Sequence, residues 1–270
     1  MSGRRRAVSG RRRAVTGRAT PTRGERTGNA GNAADKSQVR AQRHDVEMAI
    51  LQTLITGALD AAFPARCVGC AREGPPLCDT CGTALDARLD QPAGVPIGLP
   101  GDIPEPLLQL EWCAAFRGIV RDALHRLKYG GEQRLAGPMG AAIARRWSRV
   151  GVGADLVANV PVHLDRRRMR GYDQAELVAR AAAQRLGLPF APLLERQRAT
   201  VAQFDLDRTD RATNVAGAFA VHGRHDVVAG RWVLLIDDVT TTGATLAACA
   251  ATLEAAGARA VSAITVARER

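Results

Sequence analysis

From Trp112 to the C-terminus the spacing of apolar residues alternates between two periods. Short apolar runs predict strands at Trp112–Phe116, Leu156–Val162, 214–221, 232–237 and 259–267. Apolar residues three and four apart predict helices at Ile119–Lys128, Leu135–Trp147 and Gln174–Leu186. Strands alternating with helices imply a mostly parallel sheet covered on both faces, an α/β class. Upstream the pattern fades. Residues 86–110, with Gln91-Pro-Ala-Gly-Val-Pro-Ile-Gly-Leu-Pro-Gly at their centre, predict a linker. Residues 1–47 hold almost no large apolar side chains and predict a disordered arm, because they cannot bury enough surface to offset their ordering entropy.

Charge changes the picture only at that arm. The formal net charge of +11 suggests nucleic acid, yet 12 Lys/Arg against 4 Asp/Glu fall in residues 1–47 and 26 against 23 in residues 48–270. The arm repeats Gly-Arg-Arg-Arg-Ala-Val at Gly3 and Gly10. It reads as a basic tail for nucleic acid, as an organellar-type transit segment, or as an upstream start preceding a natural beginning at Met48. The last is preferred, since Met48 leads into Ala-Ile-Leu-Gln-Thr-Leu-Ile, an apolar helical start. No apolar run reaches the roughly 18 residues needed to span a bilayer, and no secretory core is evident at the start. The expectation is a cytoplasmic protein with no membrane insertion.

The densest chemistry lies at 233–245. Val233-Leu-Leu-Ile runs into Asp237-Asp238, then Val-Thr240-Thr241-Thr242-Gly243-Ala244-Thr245. The apolar run predicts a buried parallel strand. Leu246, Ala250 and Leu253 share one face of a following helix, with Gly257 as its C-terminal cap. Both acids thus fall at the carboxyl end of a strand, and the hydroxyl-rich loop opens a helix. That is where open α/β sheets bind ligands, and a helix N-terminus favours a phosphate. Carboxylates repel phosphate, so the pair serves sugar hydroxyls or a divalent metal bridging to pyrophosphate. The combination predicts a phosphorylated sugar; the plain alternative is a strand end with solvent-facing acids. No G-x-x-x-x-G-K-[ST] occurs, which disfavours a P-loop nucleotidase.

Cys67-Val-Gly-Cys70 and Cys78-Asp-Thr-Cys81 form two C-x-x-C knuckles separated by seven residues that include Gly74, Pro75 and Pro76. Two such pairs complete a tetrahedral set of four sulfurs suited to structural Zn²⁺, with an iron–sulfur centre as the alternative. Disulfides are disfavoured without a signal peptide. So short a segment would draw its stability from the metal. Cys113 and Cys249 read as small buried hydrophobes.

These pieces resemble a known family. Residues 233–245 resemble the phosphoribosyl-diphosphate (PRPP) motif of type I phosphoribosyltransferases. With the Cys pairs, Leu127-Lys128-Tyr129-Gly130, Val160-Pro161-Val162, Arg170-Gly171-Tyr172-Asp173-Gln174 and Arg211-Ala-Thr-Asn214-Val-Ala-Gly217-Ala-Phe219, residues 48–270 resemble the ComF family, a bacterial group linked to DNA uptake in competence. The resemblance implies a type I phosphoribosyltransferase-like parallel sheet over 111–270. It also implies a helix plus a four-cysteine zinc module over 48–85, and PRPP bound with Mg²⁺.

On that reading Asp237, Asp238 and Arg170 are the candidate catalytic residues, and Thr240, Thr241, Thr242, Gly243, Ala244 and Thr245 hold the 5′-phosphate. Lys128 faces the site. Gln203, Arg208, Arg211 and Asn214 belong to a long polar stretch, 196–214, that matches a closing lid. The arginines after Asp165 form the pyrophosphate-side loop. Asp173 stands where the family usually has Asn, and Asp173 with Glu176 also resembles a capping box. Thr241 replaces the Asp that assists the base in purine-salvage relatives, so no base catalyst is evident. The non-catalytic alternative is a PRPP sensor, or a handler of single-stranded DNA that meets other DNA-uptake proteins.

Overall fold

The computed structural model describes residues 65–94, 103–197, 217–222 and 225–269, all within the unit Asp60–Arg270. The arm, the segment 48–64 and the residues Gln203, Arg208, Arg211 and Asn214 lie outside the described residues.

In chain order, the described elements begin with a short helix α1 (Asp79–Gly82) and then β1 (Leu110–Ala115), α2 (Gly118–Tyr129) and α3 (Ala136–Val150). Next come β2 (Leu156–Asn159), α4 (Leu164–Arg170), α5 (Gln174–Leu186) and β3 (Leu194–Arg196). The last are β4 (Phe219–Val221), α6 (His225–Val228), β5 (Trp232–Thr240), α7 (Ala244–Ala255) and β6 (Ala260–Arg268). Four strands form one parallel sheet in the order β1-β6-β5-β2, and β3 pairs with β4 as a separate antiparallel ribbon. The expected α/β class, a parallel sheet flanked by helices, is what the chain adopts.

Alternation along β5 assigns the two faces. Leu234 and Ile236 join Leu124, Ile143 and Val178 from α2, α3 and α5 in one core. Val233 and Leu235 join Leu246, Cys249 and Leu253 of α7, with Leu194 and Phe219 of the ribbon, in the other. Cys113 and Cys249 are both buried, as small hydrophobes should be.

Element ends shift by a few residues throughout, β2 stopping at Asn159 and not at Val162, and three differences from the sequence expectation bear on the site. β5 runs on to Thr240, beyond the expected 232–237, so Asp237 and Asp238 sit inside its last half rather than at its very end. Pairing with β6 explains the extension, since Thr240 stays in register with Arg268 after β2 has stopped at Asn159. Residues 165–170, expected as a loop, are helical: His163 accepts from Asp165 N–H at 3.3 Å and Gly171 closes the helix in the left-handed region. The arginines between these caps are good helix formers. Finally, a short strand, β3, ends on Arg196, the first residue of the stretch read as a lid.

The cysteine module and the residues after it pack onto this body. Cys67, Leu77, Cys81 and Leu85 are buried in the same core as Cys113, Val120 and Leu124. Residues 88–92, within the stretch expected as a linker, are gripped by Arg146 of α3. Its guanidinium donates to the carbonyls of Arg88, Leu89, Gln91 and Pro92 and to the Glu111 carboxylate at 2.8 Å.

Candidate functional sites

The sheet order makes a crevice before any side chain is considered. From β5 the chain passes through α7 to β6, on one side of β5. From β2 it passes through α5 to Phe190, which bridges Val157 in parallel on the far side of β2. Successive connections therefore diverge between β2 and β5. That divergence opens a crevice at the carboxyl ends of those strands.

Lys128, Asp238 and Arg170 are joined there through Gln174, and Asp237 stands next to Asp238 on the same strand. Asp238 lies on the α2/α5 face. Its Oδ2 is 3.0 Å from Lys128 Nζ and accepts from Gln174 Nε2 at 3.0 Å. Gln174 Oε1 in turn accepts from Arg170 at 2.9 Å. Burial alone would lower the Lys128 pKa, but the charge and hydrogen bond of Asp238, with Asp237 beyond, raise it above the ordinary lysine value. Period-two alternation turns Asp237 to the opposite face, toward α7 and the ribbon. There it is half-buried, and its Oδ1 accepts from the Asp238 N–H at 2.8 Å. Burial, reinforced by the charge of Asp238, pushes its carboxyl well above the usual range. The acids that are adjacent in sequence are thus held in different environments.

The hydroxyl loop follows. Thr240 is buried, Thr241 and Thr242 are half-buried, and Thr242 Oγ1 accepts from Ala244 N–H at 3.4 Å. Gly243 caps α7 at φ +82°, where a Cβ would meet Pro104 at 3.0 Å and Leu110 at 3.2 Å. Only glycine satisfies both the dihedral and the space. The first-turn N–H groups of α7, from Ala244 and Thr245 onward, have no acceptor within the helix and face its N-terminal end, where the loop lies.

The elbow between α4 and α5 is tied to the end of α2. The Tyr172 hydroxyl donates to the Leu127 carbonyl, and the Arg170 guanidinium stacks 4.9 Å from the Tyr129 ring centroid. Asp173 does cap α5, accepting from Glu176 N–H at 3.1 Å, and its other oxygen accepts from Val162 N–H at 3.0 Å. It therefore pins the β2 loop as well as the helix, which a capping reading alone misses. Burial raises its pKa, opposed by these backbone donors. Arg166, Arg167 and Arg168 are exposed on α4, outside the crevice network. His163 serves as the α4 cap.

Two residues of the site carry no role in the sequence reading. Gln174 belongs to the Arg170-Gly171-Tyr172-Asp173-Gln174 motif, and its position marks it: the first helical residue after an N-cap lies close to the strand ends. Arg196 is the other. It is half-buried on β3 against Phe219, with burial and the Arg166 charge lowering its pKa and Asp237 opposing this.

The second site is the cysteine cluster. The sulfurs of Cys67, Cys70, Cys78 and Cys81 all lie within 4.8 Å of one another, with Cys67–Cys78 at 3.6 Å and Cys70–Cys78 at 3.8 Å. A tetrahedron with Zn–S bonds of about 2.3 Å has edges of about 3.8 Å, so the set fits zinc and is too open for disulfides. Burial would raise the Cys67 thiol, but N–H groups of Cys78, Cys70 and Gly69 bring it down to about 6. Cys81, buried against the other sulfurs, is pushed up to about 12. Four thiolates at this spacing coexist only around a cation. Gly69 makes room: a Cβ there would stand 2.7 Å from the Cys81 sulfur.

No protein-family model matches the chain. The fold defines a parallel α/β protein with a switch-point crevice and a four-cysteine cluster packed beside it. It is a homologue, over most of its length, of proteins of DNA utilization and competence. It is 28% identical over 203 residues to the DNA utilization protein YhgH of Escherichia coli K12, covering 72% of this chain and 85% of that protein. It is 27% identical over 203 residues to Competence protein F of Haemophilus influenzae, covering 70% and 84%. Among solved structures, similarity extends to the glutamine PRPP amidotransferase from B. subtilis (TM-score 0.36, 21% identity, 53% of this chain and 30% of that one). It extends also to the adenine phosphoribosyltransferase from Thermoanaerobacter pseudethanolicus (TM-score 0.33, 18% identity, 51% and 82%). No helix among the described residues is long and apolar enough to cross a membrane.

Proposed function

We propose that the chain binds PRPP with Mg²⁺ in the β2/β5 crevice and acts as a phosphoribosyltransferase in DNA utilization. The observation that carries this reading is the convergence at the switch point of an acid pair, a hydroxyl loop opening α7, and the Lys128–Asp238–Gln174–Arg170 chain. In this reading the Thr240–Thr245 loop holds the 5′-phosphate on the α7 N-terminus. Asp237 and Asp238 accept from the ribose hydroxyls, and their oxygens are the donor type a hard cation prefers. Magnesium, when bound, would neutralise charge on the pyrophosphate. Arg170 stabilises the leaving pyrophosphate as its bond to the anomeric carbon breaks and the acceptor's bond forms. Thr241, where an acid would assist a purine, argues for a different acceptor. Zinc at the cysteine cluster is structural in this account, because all four ligand positions are protein sulfurs.

The test is calorimetric titration of the chain with PRPP and Mg²⁺, beside the Asp237→Ala/Asp238→Ala variant. Binding by the parent and not by the variant is expected; no heat from the parent would sink the reading. Pyrophosphate release, screened over amine and base acceptors, then decides between enzyme and sensor.

A second reading has its own support. Arg166, Arg167 and Arg168 are exposed on α4, whose last residue, Arg170, stacks on Tyr129, itself 66% exposed. Cations flanking an aromatic ring suit single-stranded DNA. That reading requires affinity that falls steeply with salt.

A further inference from the structure

We propose that Gln174 is a positioning residue that joins the Asp238 carboxylate to the Arg170 guanidinium, so that the ribose side and the pyrophosphate side of the crevice are held as one unit. The proposal rests on the PRPP reading and assigns a residue that reading leaves without a task.

The network fixes the amide's orientation. A guanidinium only donates, so the atom 2.9 Å from Arg170 is the Gln174 oxygen. The amide nitrogen then faces Asp238 at 3.0 Å, where it meets an acceptor. Asp238 takes a second donor, Lys128, on the same oxygen. The result is an unbroken line of Lys128, Asp238, Gln174 and Arg170, drawn from α2, β5, α5 and α4. Glutamine is suited to the middle place because its side chain both donates and accepts. A glutamate would turn an oxygen toward Asp238; a lysine would turn a donor toward Arg170.

Its backbone is equally constrained. Gln174 is the first residue of α5 and is 5% exposed. The N-cap before it, Asp173, is fastened both to Glu176 N–H and to Val162 N–H of the β2 loop. Arg170 is held from its other side by the Tyr129 ring. Each end of the relay thus reaches a residue assigned to a different half of the ligand, and the middle cannot shift without moving both. Holding two subsites in fixed register converts two weak attachments into one strong one.

The experiment is a mutant cycle on PRPP–Mg²⁺ affinity by calorimetry, with the full chain. Gln174→Asn keeps the amide and shortens it by one methylene, so it cannot span both partners; Gln174→Leu removes both hydrogen bonds at similar volume. Each is expected to weaken binding about tenfold or more, with thermal unfolding checked to exclude loss of fold. In the Arg170→Ala background the same substitutions are expected to cost less than about threefold, because the relay is already cut. Equal losses in both backgrounds, or parent-like affinity in Gln174→Asn, would overturn the assignment while leaving PRPP binding standing. A parent that gives no heat overturns both.

Discussion

Two buried carboxylates in this protein are each paired with cations, and they are built to opposite ends. Glu111 on β1 is completely buried. It accepts two bonds from Arg146, at 2.8 and 3.2 Å, and one from Gly94 N–H, with Arg88 at 3.6 Å. Its partners are forked guanidinia: Arg146 also binds the carbonyls of residues 88–92, and Arg88 lies 4.1 Å over Trp112. Asp238 on β5 has one lysine and one amide, its side chain is 7% exposed and that of Lys128 is 21% exposed, and a second acid precedes it on the same strand. Planar, multiply bonded guanidinia fix a structure; a single ammonium on a four-carbon stem can leave. The difference separates a closed polar cluster, which fastens the cysteine module's flank to the sheet, from an open one, which can exchange its partners for a ligand.

The sharpest test of the closed side is removal of the metal the cysteines fit. Structural zinc contributes on the order of 10 kcal/mol or more to small sites. Because Cys67, Leu77, Cys81 and Leu85 share the main core, Cys78→Ala or a strong chelator is expected to lower the melting temperature by more than about 10 °C. Metal analysis of the parent should give one zinc per chain; a parent without metal and with an unchanged melting curve would contradict the closed reading. Next comes Arg146→Ala, which takes from buried Glu111 its closest cation, leaving only Arg88 at 3.6 Å, and strips donors from the carbonyls of residues 88–92. Breaking a buried pair in this way costs about 3–5 kcal/mol, or roughly 10 °C for a chain of this size. A loss under about 1 kcal/mol would erase the distinction between the two carboxylates.

On the open side the same type of change should act on binding and spare the fold. Asp238→Ala is expected to weaken PRPP–Mg²⁺ at least about a hundredfold, close to 2.7 kcal/mol. Its melting temperature should stay within about 3 °C of the parent, since Lys128 is near enough to water to redirect its ammonium. A large loss of stability with unchanged affinity would make Asp238 a second Glu111.

The two sides were unequally legible in the sequence. The crevice could be read because its parts are local: an apolar run, two acids, a hydroxyl loop and a glycine, in an order that strand and helix geometry converts into positions. The knuckles could be read for the same reason, since spacing alone brings the four sulfurs together. Glu111 could not be read, because its partners lie 35 residues away at Arg146 and 23 residues away at Arg88, and no local pattern couples them. α4 was obscured by its charge: a run of arginines resembles a solvated loop until His163 and Gly171 are seen as its caps. The opposed orientation of Asp237 and Asp238 follows from strand periodicity once β5 is known to continue to Thr240.

That opposition yields the smallest effect and the most discriminating one, at Asp237. Its carboxyl is held well above the ordinary range by burial, and by Asp238 beside it. In the unfolded chain an aspartate ionises near pH 4. Between that point and the raised folded value, the folded protein binds more protons than the unfolded one. Stability from this group is therefore fully present below about pH 4 and is lost as pH rises through the folded pKa. At neutral pH Asp237 costs stability, as groups kept for binding often do. Asparagine imitates the protonated form and can still accept from the Asp238 N–H. Asp237→Asn should raise stability by about 0.5–2 kcal/mol at pH 7, with the gain shrinking toward zero near pH 4, while PRPP affinity falls. Denaturant unfolding at both pH values reads this directly. A destabilised variant at pH 7, or a gain that persists unchanged at pH 4, would show that Asp237 belongs with the closed carboxylate and not with the open one.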